Sequence, residues 1–258
     1  MLDKVLSSML GLDRGSKEAC PEGAPQASDS ASLHEEAEDQ ETIQFVGPYT
    51  MTSPERIRAL CSAVRYIEEA GIKGAVVECG VWRGGSMMAV ARTLLKRGGA
   101  SRDLFLFDTF EGMTKPGLYD IALTGESAES LLRKGSRTEE NNVWCYAPIE
   151  RVAQALTLTN YPGERIHLIP GRVEDTLSTA APEQIALLRL DTDWYESTRY
   201  ELEMLFPRLC HGGVLIIDDY GHWQGARRAV DEYMNRHQVR MLLHRIDYTG
   251  RIGVRAFE

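Results

Sequence analysis

The sequence predicts an α/β protein of Rossmann-like architecture: a mostly parallel sheet of seven strands, helices on both faces, and a C-terminal antiparallel hairpin. Three observations predict it. Short apolar runs recur and end abruptly in acids, as Leu187-Leu188-Arg189-Leu190 runs into Asp191 and Asp193, and Val214-Leu215-Ile216-Ile217 into Asp218 and Asp219. Such runs read as strands buried on both faces. These strands alternate with helical patterns, which implies a parallel sheet covered on both sides. The chain closes with Asp247-Tyr248-Thr249-Gly250 between two apolar runs, the pattern of a hairpin.

The bulk numbers fit one large domain. The 258 residues can bury a sizeable core, and 43% hydrophobic with 26% charged residues is ordinary for a globular chain. The net charge of −9 is uneven: residues 1–41 carry ten acids and three bases, which leaves the remainder near −2. A nearly neutral body argues against nucleic-acid binding, which needs a basic stripe. Five cysteines without a C-x-x-C pair read as reduced thiols of a cytoplasmic protein. No apolar run approaches the roughly 20 residues of a membrane span. An N-terminus with early acids argues against secretion.

In chain order, residues 1–12 space Leu2, Val5, Leu6, Met9 and Leu10 as a short amphipathic helix. Residues 14–41 read as a flexible acidic linker, so the folded domain is expected over residues 42–258. Ser53-Pro54-Glu55 starts a helix, with Ser as N-cap and Pro at the first turn, and Gly71 ends it. Ala75–Cys79 is a strand that enters a glycine-rich turn, Gly80 to Gly85, and then a helix from Ser86 to Leu95. Leu104–Phe107 is a strand tipped by Asp108. Residues 111–148 lack clear periodicity and read as a functional lid or as unresolved short helices. Helices follow over 149–158 and from Val173, flanking the strand Ile166–Ile169 and the Pro170-Gly171-Arg172 turn. The last helices span about Ser197 to Leu209 and His222 to Asn235, and the hairpin pairs Met241–Leu243 with Ile252–Val254.

The chemistry gathers at the carboxyl ends of the strands, where open parallel sheets bind ligands. Asp191, Asp193, Asp218 and Asp219 would cluster there. Like charges so close repel, a cation relieves them, and oxygen-only ligands favour a hard ion. Glycines at the Gly80–Gly85 turn let a ligand approach the backbone, and the following helix N-terminus favours polar or negative groups. Asp108 is placed to accept from ribose hydroxyls. G-x-G-x-x-G is absent, which weakens a dinucleotide reading. Other readings stand beside these. Asp191 and Asp193 can serve as N-caps, Asp218-Asp219 as a solvated strand end, and His222 as a helix-start residue.

The set Glu78-x-Gly80-Val81-x-Arg83-Gly84-Gly85, Asp108-Thr109-Phe110-Glu111-Gly112, Leu190-Asp191-x-Asp193-x-Tyr195-Glu196-Ser197-Thr198 and Ile217-Asp218-Asp219-Tyr220-Gly221 resembles the macrocin O-methyltransferase family over roughly residues 45–250. That family lies among the class I S-adenosylmethionine (SAM) methyltransferases. The resemblance implies Mg²⁺-dependent methylation of a hydroxyl on a sugar or other vicinal diol of a glycosylated natural product, by a homo-oligomer. It implies that Thr50, Met51, Glu78, Gly80, Val81, Trp82, Ser86, Asp108, Thr109, Phe110, Gly112, Gly171, Arg172 and Asp191 contact SAM. It implies Asp191, Asp218 and Asp219 as metal ligands and Asp193 as general base. The acidic extension and the 111–148 segment depart from the family pattern, so the acceptor does not carry over. A metal-dependent hydrolase using the same aspartates, or a non-catalytic binding module of this fold, are the alternatives.

Overall fold

A computed structural model describes residues 27–100, 102–136 and 143–256. The chain divides into two units, Met1–Ala37 and Glu38–Glu258. The expected helix over residues 1–12 lies outside the described residues. The expected linker does not persist to residue 41: helix α1 spans Ala27–Val46. Ala, Glu and Gln are good helix formers, so acidity alone did not mean a coil. Within the second unit, Asp39 is buried and accepts two bonds from Arg65, at 2.7 and 2.9 Å. The folded body therefore starts a few residues before the expected boundary.

Helix α2 (Pro54–Glu69) starts as expected, with the Ser53 hydroxyl accepting from the Arg56 N–H at 3.3 Å. Then come β1 (Ala75–Cys79), α3 (Gly85–Lys96), β2 (Leu104–Asp108), α4 (Ala128–Lys134), α5 (Ile149–Thr157), β3 (Ile166–Pro170), α6 (Val173–Ala180), β4 (Ile185–Leu190), α7 (Tyr195–Leu205), β5 (Leu209–Ile217), α8 (Gln224–Arg236), β6 (His244–Arg245) and β7 (Arg251–Val254). The seven strands form one sheet in the order β3-β2-β1-β4-β5-β7-β6. Strands β1 to β5 are parallel, and β7 is antiparallel to both neighbours. The hairpin begins later than expected, at His244 rather than Met241. Its turn is set by the Asp247 carboxylate, which accepts the N–H groups of Thr249 and Gly250.

Strand alternation divides the core between two faces. Val76, Leu104, Leu106, Leu187, Val214 and Ile216 pack with α2, α3 and α5. Val77, Cys79, Phe107, Leu188, Leu215 and Ile217 pack with α6, α7 and α8. Every second residue of a strand faces the same side, and parallel neighbours in register share it. Glu78 is the register partner of Arg189. Both therefore sit on the α2–α3 side, at the carboxyl end of the sheet. A smaller cluster holds the 111–148 segment: Ala122, Ala128 and Leu132 pack on Trp194, Trp223 and Ala226. Of its described residues, Ala128–Lys134 form the short helix α4 and most of the rest is irregular. Among the described residues no helix is long and apolar enough to cross a membrane. Among the described residues, Cys61, Cys79, Cys145 and Cys210 form no disulfide.

Candidate active site

At the end of β1 the backbone must pass very close to β4. Gly80 has φ +84°, and a Cβ there would lie 2.0 Å from the Asp191 carbonyl oxygen. Only glycine fits. The Gly80 N–H donates to Phe107 O at 2.9 Å and the Asp191 N–H to Cys79 O at 2.8 Å, which pins three strand tips together. The chain then turns through Trp82, which holds a left-handed φ of 47°, into α3. The N-cap of α3 is Gly84, which offers no side-chain oxygen to the first-turn N–H groups. Such groups favour an anionic or polar ligand. A Cβ on Gly85 would lie 2.6 Å from Tyr49 O, so glycine also lets the Tyr49-Thr50-Met51 loop approach the turn.

Asp108 closes β2. Its carboxylate accepts the N–H groups of Val81 (2.6 Å), Trp82 (3.2 Å) and Phe110 (2.7 Å). Burial raises its pKa, and those three N–H groups pull it back. In this structure Asp108 first organises two loops, and a ribose has to share an acceptor already in use.

The carboxylate cluster is the second half of the site. Ligand atoms of Asp191, Asp193 and Asp219 lie within 4.8 Å of one another. Asp218 does not join them. One of its oxygens takes the Arg189 guanidinium at 2.5 Å and the other takes Arg56. Arg189 also donates to Glu78 (2.7 Å), Asp191 (2.6 Å) and the Thr52 hydroxyl (3.0 Å). Burial and then mutual repulsion push Asp219 well above the carboxylate range. Asp191 is raised too, by burial, against the pull of Arg189. Burial, with Asp191 next, pushes Asp193 to about 7. One oxygen of Asp219, Oδ2, is buried with no hydrogen-bond partner. Excess buried negative charge, an orphaned carboxylate oxygen and an all-oxygen donor set fit a hard divalent cation.

Both halves open into one cavity of about 590 Å³. Of the expected contacts, Thr50, Met51, Gly80, Val81, Trp82, Ser86, Asp108, Thr109, Gly112, Gly171 and Arg172 line it, together with Asp191, Asp193, Asp218 and Asp219. Two expected contacts do not reach its wall. Glu78 is 1% exposed and turned to Arg189, and Phe110 is 5% exposed in the core. Strand alternation sends Glu78 under the α2–α3 layer rather than into the cleft. Residues not foreseen as site residues include Arg56, Thr52, Glu174, Trp223 and Tyr248, all on the cavity wall. A charged residue inside the apolar run of β4 was the signal for Arg189.

The strap over residues 113–127 is fastened to the helix starts. Asp120 is 1% exposed, and its carboxylate accepts the first N–H of α7, from Tyr195, at 2.8 Å, and that of Gly117 at 2.6 Å. The Gln224 N–H, first in α8, donates to Ile121 O at 2.9 Å. Trp194, next to Asp193, donates its indole N–H to Thr114 O at 3.1 Å. Asp120 thus supplies the cap that α7 lacks at its own N-cap, Trp194. Asp120→Asn replaces one acceptor oxygen by a donor facing an N–H. It is expected to cost about 1–2 kcal/mol of stability and to speed hydrogen exchange of residues 113–127. An unchanged exchange pattern would mean the strap is held elsewhere.

The macrocin O-methyltransferase (TylF) family model matches residues 16–253. The chain belongs to the macrocin O-methyltransferase family. It is 35% identical over 202 residues to the 8-demethyl-8-(2,3-dimethoxy-alpha-L-rhamnosyl)-tetracenomycin-C 4'-O-methyltransferase of Streptomyces olivaceus, covering 78% of this chain and 74% of that protein. It is 32% identical over 217 residues to the mycinamicin III 3''-O-methyltransferase of Micromonospora griseorubida, covering 84% and 80%. Among solved structures, the O-methyltransferase NovP superposes with a TM-score of 0.73 at 25% identity, over 88% of this chain and 100% of that one. This family member is therefore an enzyme with the class I SAM methyltransferase fold. Family membership favours methyl transfer over the hydrolase and binding-module alternatives.

Proposed function

We propose that the protein is a Mg²⁺-dependent O-methyltransferase that moves the methyl group of SAM to a hydroxyl of a sugar, or other vicinal diol, on a glycosylated natural product. The observation that carries this reading is a single cavity joining the Gly80–Gly85 turn to the carboxylates at the tips of β4 and β5. Relatives named for the O-methylation of a rhamnosyl-tetracenomycin and of mycinamicin III support the acceptor class. The working place is the cytoplasm, in keeping with free thiols, and the working form is a homo-oligomer, a point for light scattering.

Methyl transfer from a sulfonium is an in-line displacement, so alignment supplies much of the acceleration. The glycine turn and the α3 N-terminus would receive the amino-acid end of SAM, with Thr50 and Met51 beside it and Gly171 and Arg172 bordering the nucleoside end. Asp191 and Asp219 would hold the divalent cation, with Asp218 steadied by Arg189 and Arg56. When bound, the cation orients the diol and lowers the pKa of the hydroxyl. Asp193, at the rim of the cluster, accepts the hydroxyl proton as the oxygen attacks the methyl carbon. The strap residues Met113, Thr114 and Ala122, with Trp223 and Tyr248, form the acceptor wall.

Two measurements test the reading. Calorimetry should show S-adenosylhomocysteine binding in the presence of EDTA. EDTA should lower methyl transfer to a rhamnosylated polyketide acceptor by roughly a hundredfold or more, and Mg²⁺ should restore it. Turnover that survives EDTA would remove the cation from the mechanism. Failure to bind the cofactor product would remove the activity itself.

A further inference from the structure

Arg189 stands where a buried strand of this kind holds an aliphatic residue. Its neighbours in β4, Leu188 and Leu190, are core residues, and Arg189 itself is 2% exposed. Burying a charge there is costly unless its partners are well placed. They come from three strand tips and a loop: Glu78 after Val77 of β1, Asp191 beyond β4, Asp218 beyond β5, and the Thr52 hydroxyl ahead of α2. Glu78 lies beneath the cofactor turn, two residues before Gly80. Asp191 and Asp218 lie in the cation half. Arg189 does not line the cavity. A planar guanidinium has five N–H donors in a fixed fork and can span several carboxylates at once, whereas an ammonium acts as a point charge. A second guanidinium, Arg56, holds the other oxygen of Asp218 and approaches Asp247 at 3.0 Å. Asp218 is thereby fixed from two sides.

We infer that Arg189 is the positioning residue that sets the methyl-donor half and the cation half of the site together, by holding Glu78, Asp191 and Asp218 on one guanidinium. The inference rests on the proposed function. It makes the spacing between donor methyl and metal-held hydroxyl a property of one side chain that touches neither. Arg56 acts beside it on Asp218 and Asp247.

The test uses binding rather than turnover. S-adenosylhomocysteine affinity is read by calorimetry in EDTA, and Mn²⁺ affinity by electron paramagnetic resonance. Arg189→Lys keeps the charge and loses the span. It is expected to weaken both affinities by roughly tenfold or more, which a residue of purely structural value outside the cavity would not do. Double-mutant cycles should show that its cost in cofactor affinity does not add to that of Glu78→Gln, nor its cost in Mn²⁺ affinity to that of Asp191→Asn. Additive costs, or unchanged affinities in a folded R189K, overturn the inference. If R189K does not fold, Asp218→Asn decides. Removing a carboxylate from the cation half should weaken metal-free S-adenosylhomocysteine binding about threefold or more, because Arg189 transmits the change to Glu78. Unchanged cofactor affinity in D218N overturns the inference. A wild-type protein that binds neither ligand fails the proposed function first, and the inference falls with it.

Discussion

Asp193→Asn is expected to lower kcat by roughly a hundredfold to ten-thousandfold, the range of general-base catalysis, while S-adenosylhomocysteine and Mn²⁺ affinities stay close to wild type. The variant suits the test because Asp193 holds a left-handed φ of 67°. Asn tolerates that conformation as well as Asp does, so the turn survives and only the proton acceptor is lost. The left-handed turn lifts the carboxylate to the cavity wall beside Asp191 and Asp219. Burial, with the charge of Asp191 next, raises its pKa to about 7. On the proposed mechanism, a base so placed would take the proton of a hydroxyl that a bound cation would acidify. Three outcomes are distinct. Lost turnover with intact Mn²⁺ binding upholds the base. Lost Mn²⁺ binding makes Asp193 a metal ligand in the place foreseen for Asp218, in line with the convergence of Asp191, Asp193 and Asp219. Full activity removes Asp193 from the chemistry.

The second large effect is a pH dependence of folding that passes through Glu201. This residue of α7 is fully buried, and neither carboxylate oxygen has a hydrogen-bond partner. Burial raises its pKa to about 8, from the 4.5 of an exposed glutamate. The folded state therefore holds a proton that the unfolded chain releases. The stabilisation is complete below about 4.5, declines as pH rises, and is gone once pH passes about 8. Across that window the folding equilibrium should weaken by up to about tenfold per pH unit. Glu201→Gln keeps the shape and removes the titration. Urea unfolding should give a steeper loss of stability for wild type than for E201Q between pH 5 and 9, the other titrating groups being common to both. Parallel slopes would mean that Glu201 finds a partner or water when ionised.

Much of the site was legible before any coordinates. Apolar runs ending in acids located β4, β5 and the cluster, because a strand buried on both faces has a distinctive composition and must end where water begins. The glycine turn and the Ser53 cap were equally plain, since both rest on local backbone chemistry. Glu78 was not placed correctly, because a motif gives a residue its position along the chain but not the side of the sheet it faces. The extension from Ala27 was misread for a related reason. Acidic composition suits a solvated coil and a solvated helix alike, and only the docking of Asp39 on Arg65 distinguishes them.

The sequence by itself determined the strand and helix order, the two carboxylate-tipped strands and the family, because each follows from local pattern and motif. The tertiary structure decided which carboxylates meet an arginine and which are left facing one another. That partition depends on sheet register, which pairs Glu78 with Arg189 across 111 residues, and on α2, which brings Arg56 to Asp218. Long-range pairing of buried charges is fixed by packing geometry, and no local pattern encodes it.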